Sequence, residues 1–166
     1  MTRSEIARKV WTDPRYFIGY GFGTGLLPKM PGTWGTLMAI PVYLLIAKFH
    51  LITYLLILLL IAVYAVSVSD LLSKEIGLHD DPGMNIDEFV GFLVTMIAAP
   101  LTWWGVILGF AYFRLFDIWK PWPIRWVDEK VTGGFGMILD DVIAGLAAMI
   151  ALKLTSWLGL LILSKI

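Results

Sequence analysis

The sequence of 166 residues contains no cysteine, only two histidines, and few charges, with Asp, Glu, Lys and Arg together making 16%. Without cysteine there is no disulfide framework, no thiolate nucleophile and no Cys-ligated zinc or iron–sulfur centre. His50 and His79 are too few for imidazole-based nucleophilic catalysis, and His79 is either a proton-transfer group or an exposed loop residue. Thirteen basic residues balance thirteen acidic ones, so no field attracts a polyanion and no nucleic-acid partner is expected. Apolar residues are what the chain has in quantity: 58% of it is hydrophobic, with mean hydropathy +0.79. An ordinary soluble domain is about 45–50% apolar. Disorder is excluded, and the bilayer becomes the expected solvent.

The uncharged runs define an all-α integral membrane bundle of about five membrane helices. Leu51 to Ser69 carries no charge and is long enough to cross a hydrocarbon core of about 30 Å. Met30 to Ala47 holds Pro31 and Pro41, which predicts a loop followed by a short, kinked helix from about Thr33. Phe89 to Phe113 is interrupted at Ala99-Pro100-Leu101-Thr102 and predicts a helical hairpin, roughly 86 to 99 and 103 to 119. Val142 to Leu163 is apolar except for Lys153 and predicts the last helix. No repeat or linker divides the chain, so residues 1–166 read as a single domain. The first residues are charged and lack the apolar core of a cleavable signal, which predicts a retained N-terminus. Arg3, Arg8, Lys9, Arg15 and Lys29 near the start, and Arg114, Lys120, Arg125 and Lys130 later, orient the chain by the positive-inside rule. That rule predicts a cytoplasmic N-terminus, with residues 70–88 and 114–141 on the same face.

Every acidic residue falls on that face, although acids contribute little to orientation. Asp87-Glu88 at the start of the third membrane helix, Asp117 late in the fourth, and Asp140-Asp141 at the start of the last form clusters at helix ends. Hard cations such as Mg²⁺ select oxygen ligands and commonly use one or two carboxylates plus a substrate phosphate. Helix capping is the competing account of Asp87 and Asp140, and a salt bridge from Asp117 to Arg114 or Lys120 is that of Asp117. Beside the acids, Lys120 and Arg125 flank a segment containing Trp119, Trp122 and Trp126. Such a segment suits an anionic lipid head, by phosphate contact or by simple interfacial anchoring. Gly23, Thr24 and Thr33 lie in a Gly/Pro-rich N-terminal loop that either forms an anion nest or serves helix entry and packing.

Three segments carry a resemblance: Gly23-Thr-Gly-Leu-Leu-Pro28 through Pro31-Gly-Thr-Trp-Gly35; His79-Asp80 through Asp87-Glu88-Phe-Val-Gly91; and Phe113-Arg-Leu-Phe-Asp117-Ile-Trp-Lys-Pro121 through Gly134-Phe-Gly136 to Asp140-Asp141-Val-Ile-Ala-Gly145. Over about residues 18 to 150 the chain resembles the phosphatidylglycerophosphatase A family. The resemblance implies a Mg²⁺-dependent, multi-pass phosphatase of the bacterial inner membrane, with a cytoplasmic active face. Its substrate would be phosphatidylglycerophosphate among membrane lipids, with no obligate protein partner. It implies that Asp80, Asp87, Glu88, Asp117, Asp140 and Asp141 serve the metal, all but Asp80 also serving catalysis, and adds Arg114 to Lys120 and Arg125 as phosphate-binding groups. Gly23, Thr24 and Thr33 complete the expected phosphate-binding set. Direct attack of water on phosphorus is the expected reaction, with an aspartyl phosphate at Asp117 or Asp140 as its variant. A divalent-cation transporter and a Mg²⁺-dependent lipid phosphotransferase are the alternatives; the latter's Asp-Gly…Ala-Arg…Gly…Asp…Asp run is absent.

Overall fold

A computed structural model describes residues 1–78 and 81–164, apart from the side chains of residues 162 and 163. The described residues form eight α-helices and a 3-10 turn, with no strand among them. Two short helices, α1 (Arg3–Thr12) and α2 (Pro14–Gly19), precede the 3-10 turn Thr24–Leu26. A capping box between Thr2 and Glu5 starts α1. Its Ile6 and Val10 join Tyr16, Tyr20, Leu72 and Ile76 in a small apolar cluster that seats the N-terminus on the end of α4. Ion pairs from Lys9 and Arg15 to Glu75, both 3.0 Å, hold the same contact from outside.

The main bundle comprises α3 (Pro31–Ile46), α4 (Leu51–Ile76), α5 (Ile86–Thr95), α6 (Trp103–Trp119) and α8 (Gly133–Leu163), with a short α7 (Ile124–Lys130) between the last two. Two helices, Leu51–Ile76 and Gly133–Leu161, are long and apolar enough to cross a membrane, and Pro31–Ile46 is a shorter apolar helix. The five membrane helices expected from the sequence therefore reduce to two by this measure. The 10 residues of α5 rise only about 15 Å, half of a hydrocarbon core. The helix α3 begins at Pro31, two residues before the predicted start, and runs through Pro41.

Helix ends follow local chemistry. Gly77 at φ 80° terminates α4 in the left-handed conformation glycine adopts without penalty. Thr102 caps α6 through a hydrogen bond from Gly105 N–H, and α6 ends at Lys120, φ 44°, ahead of Pro121. The start of α8 is capped from another helix: Gly134 N–H donates to Asp70 Oδ1 at 2.5 Å.

The centre of the bundle is α5, which packs against α3, α4, α6 and α8 and buries every residue from Phe89 to Thr95. Close backbone approach and hydrogen bonds carry much of this packing, as is usual between apolar helices in lipid. Gly91 and Gly145 are where α5 and α8 touch: a Cβ at Gly145 would run into Gly91 O, and one at Gly91 would lie 2.8 Å from Asp141 O. Thr95 Oγ1 donates to Gly91 O at 3.0 Å and reaches Gly145 O at 3.4 Å. Tyr54 O–H donates to Leu93 O at 2.6 Å. Such bonds contribute roughly 0.6 kcal/mol each in a bilayer.

Candidate active site

The starts of α3, α5 and α8 and the ends of α4 and α6 meet at one end of the bundle. Gly32 packs on Glu88 and Arg114, Asp70 on Gly134, and Lys120 on Asp140. A cavity of about 220 Å³ opens there, and its charged lining among the described residues is Asp87, Glu88, Asp117, Asp128, Asp140, Asp141 and Lys120. Six carboxylates thus face one ammonium.

All six of these acids stand on helices, three of them at the helix ends expected from the sequence: Asp117 lies in the last turn of α6. Asp87 and Glu88 occupy the first turn of α5. Asp140 and Asp141 are not at the start of the last helix, because α8 begins at Gly133, so they cap nothing and project from its second and third turns. Each lies one turn before or at the contact of α5 with α8, Asp87 four residues ahead of Gly91 and Asp141 four ahead of Gly145. That spacing puts the acids of both helices on the same side of the crossing. Asp87, Glu88 and Asp141 each offer a carboxylate oxygen, all within 4.8 Å of one another. Glu88 Oε2 and Asp141 Oδ2 are buried without a hydrogen-bond partner. Buried anionic oxygens this close together require a counter-charge.

Protein cations supply part of it. Arg114 Nη1 lies 2.5 Å from Asp117 Oδ2 and 3.6 Å from Glu88 Oε1, all three side chains being mostly buried. The salt bridge that competed for Asp117 in the sequence is therefore formed, with Arg114. The guanidinium stands behind the carboxylates and is not part of the cavity lining. Lys120 Nζ donates to Asp140 Oδ2 and to Asp128 Oδ1, both at 2.7 Å. Partial burial works against this ammonium, but its hydrogen bonds to Asp128 and Asp140 outweigh it and raise the pKa, so Lys120 is charged throughout the neutral range.

Other expected residues lie elsewhere. Arg125 is 74% exposed on α7, pairs with Glu129 at 2.9 Å and does not line the cavity. Gly23 and Thr24 also stand outside it. Thr24 Oγ1 instead donates to Gly21 O and accepts from Asn85 Nδ2. The Thr33 hydroxyl is buried without a partner. Asp80 and His79 lie outside the described residues.

Asn85 and Asp128 are not among the site residues expected from the sequence. Asn85 is fully buried, and its amide also donates to Pro31 O at 3.0 Å, fastening the Gly/Pro loop and the start of α3 to α5. Gly21 and Gly35 pack directly on it, and these glycines were the available signal. Asp128 returns to Lys120 because Pro121 and Pro123 turn the chain after α6.

Fold and site together define a helical membrane protein with a carboxylate-rich centre at one end of its bundle. A family model described as Phosphatidylglycerophosphatase A matches residues 17–156. Phosphatidylglycerophosphatase A of Escherichia coli (strain K12) is 40% identical over 140 residues, 84% of this chain and 81% of that protein. The protein of the same name in Haemophilus influenzae is 36% identical over 153 residues, 90% and 94% of the two chains. A Bacteroides thetaiotaomicron protein provisionally named a phosphatidylinositol-3-phosphatase is 35% identical over 148 residues, 84% and 92% of the two. No solved structure matches the chain at a significant level. The chain belongs to the phosphatidylglycerophosphatase A family, and its named relatives are lipid phosphatases.

Proposed function

We propose that this protein removes the terminal phosphate of phosphatidylglycerophosphate, giving phosphatidylglycerol and inorganic phosphate, with Mg²⁺ as cofactor. The work would be done at the cytoplasmic face of a bacterial inner membrane, with α3, α4, α5, α6 and α8 embedded in it. One observation carries the reading in a chain of this family: six carboxylates and one lysine line the cavity. A phosphate dianion enters such a cavity only in company with polyvalent positive charge. The donor set fits Mg²⁺, since Asp87, Glu88 and Asp141 converge and two of their oxygens are buried without partners, while no thiol and no imidazole is among the described residues that line the cavity. When bound, Mg²⁺ supplies Lewis acidity toward the phosphoryl oxygens.

The chain's own groups do the positioning. Arg114 aims Asp117 and Glu88 from behind. Lys120, fixed by Asp140, presents its ammonium to a non-bridging phosphate oxygen. A water attacks phosphorus as the bond to the glycerol oxygen breaks, and that oxygen leaves with a proton. The headgroup reaches the cavity at the bundle's end while the acyl chains stay among lipids.

The test is phosphate release by the full-length protein in detergent, with Mg²⁺ and then with EDTA. Phosphatidic acid and phosphatidylinositol 3-phosphate serve as rival substrates. Release that EDTA abolishes and that favours phosphatidylglycerophosphate is the expected result. Equal release from all three lipids would remove the substrate assignment, and release from none by folded protein would overturn the enzyme reading. A trapped phosphoenzyme would replace direct water attack by an aspartyl intermediate.

A further inference from the structure

The lysine in the cavity is already engaged twice. Lys120 Nζ lies 2.7 Å from Asp140 Oδ2 and 2.7 Å from Asp128 Oδ1. The two partners differ in setting. The Asp140 side chain is 6% exposed on the long helix α8, whereas that of Asp128 is 42% exposed on α7, a helix of 7 residues. The backbone of Lys120 is pinned at the end of α6, its N–H donating to Phe116 O at 2.8 Å. Asp128 is therefore the partner that can be displaced.

A carboxylate oxygen and a phosphate oxygen are alike to an ammonium: both are anionic acceptors met at about 2.7–2.9 Å. We infer that Asp128 is an internal competitor of phosphate, holding the Lys120 donor that a phosphate oxygen takes when substrate enters, and thereby setting the affinity of the cavity. The inference rests on the proposal that this cavity receives a phosphate. Its sign is unusual for an acid lining a functional cavity, because removing the carboxylate strengthens binding. The competition also ties product to substrate, since inorganic phosphate leaves as Asp128 returns to Lys120. An affinity held down this way favours release over retention of the product.

The experiment compares wild-type protein, Asp128→Asn and Glu129→Gln, all full-length in detergent with Mg²⁺ present. Glu129 carries the same charge one residue away but pairs with Arg125 and does not line the cavity, so it reports the general loss of a negative charge. Binding of radiolabelled inorganic phosphate is followed by equilibrium dialysis, and KM is read on the lipid substrate. Asp128→Asn is expected to bind phosphate about two- to fivefold more tightly, the size of an exposed ion pair. KM should fall by a similar factor, with kcat carrying less of the change. Asp128→Ser should move in the same direction, Glu129→Gln should match wild type, and 0.5 M salt should narrow the gap, as about 4 Å of screening length dictates. Unchanged or weaker phosphate binding in Asp128→Asn overturns the inference while leaving the phosphatase reading intact. Phosphate binding by none of the three proteins, with KM equal in all, overturns it too, whereas absence of phosphate release from every lipid by the folded wild type removes the phosphatase reading with it.

Discussion

Asp141 shows at the scale of one residue how the site holds opposed demands. Its carboxylate is 3% exposed, shares a 4.8 Å neighbourhood with Asp87 and Glu88, and leaves one oxygen unpartnered. Without a cation, these three carboxylates, one buried and two partly buried, repel one another, a cost set against folding. Asp141→Asn is therefore expected to raise the unfolding temperature of metal-free protein while lowering Mn²⁺ affinity, measured by electron paramagnetic resonance, more than tenfold. An unfolding temperature lowered in EDTA would contradict the repulsion argument. Glu88→Gln should behave likewise, although its nearness to Arg114, 3.6 Å, reduces the gain. Asp87, Glu88, Asp117, Asp140 and Asp141 were legible in the sequence because acids next to apolar runs are conspicuous. Asp128 was not, since an acidic pair with Glu129 among Lys, Arg and Trp looks like surface and only the turn at Pro121 and Pro123 returns Asp128 to Lys120. The place of Arg114 is not legible, because the sequence cannot say which side of Asp117 a guanidinium occupies.

At the scale of elements, the contact of α5 with α8 fixes how far apart the carboxylates stand. Gly145→Ala would drive a methyl group into Gly91 O, a backbone atom that no rotamer change can move aside. The expected result is a loss of about 1–3 kcal/mol in stability, the usual range for overpacking, together with weaker Mn²⁺ binding. Gly159→Ala in the same helix meets nothing within 4 Å and should be neutral or stabilising by up to about 1 kcal/mol. Equal effects at the two positions would remove the crossing from the argument. The hairpin of α5 and α6 was readable from Pro100 and from the paired Trp103-Trp104. The start of α8 was not, because Gly133-Gly134-Phe135-Gly136 looks like a loop by propensity. Tertiary contacts override that preference: Asp70 caps Gly134, and the missing side chain lets α8 rest on Val66 O of α4.

For the molecule as a whole, the alternating direction of α3, α4, α5, α6 and α8 puts Glu129 and Phe49 at opposite ends of the bundle. The absence of cysteine makes the membrane orientation directly measurable. Glu129→Cys should react with an impermeant maleimide only from the cytoplasmic face, and Phe49→Cys only from the other. Labelling of both from one side would reverse the topology read from the basic residues. The membrane class was evident from hydropathy, whereas the count of crossings was not, because α5 is too short and too enclosed to resemble a span. Its enclosure also constrains the order of synthesis. Its most extensive neighbour is α8, so the acids of α5 are translated long before their partner Asp141 exists. A nascent chain halted at residue 132 holds Asp87 and Glu88 in an unsheltered segment, and their cluster with Asp141 comes into being only when the final helix closes the bundle. Quality control that recognises exposed polar groups in the bilayer would therefore remove truncated chains before the carboxylates could be gathered.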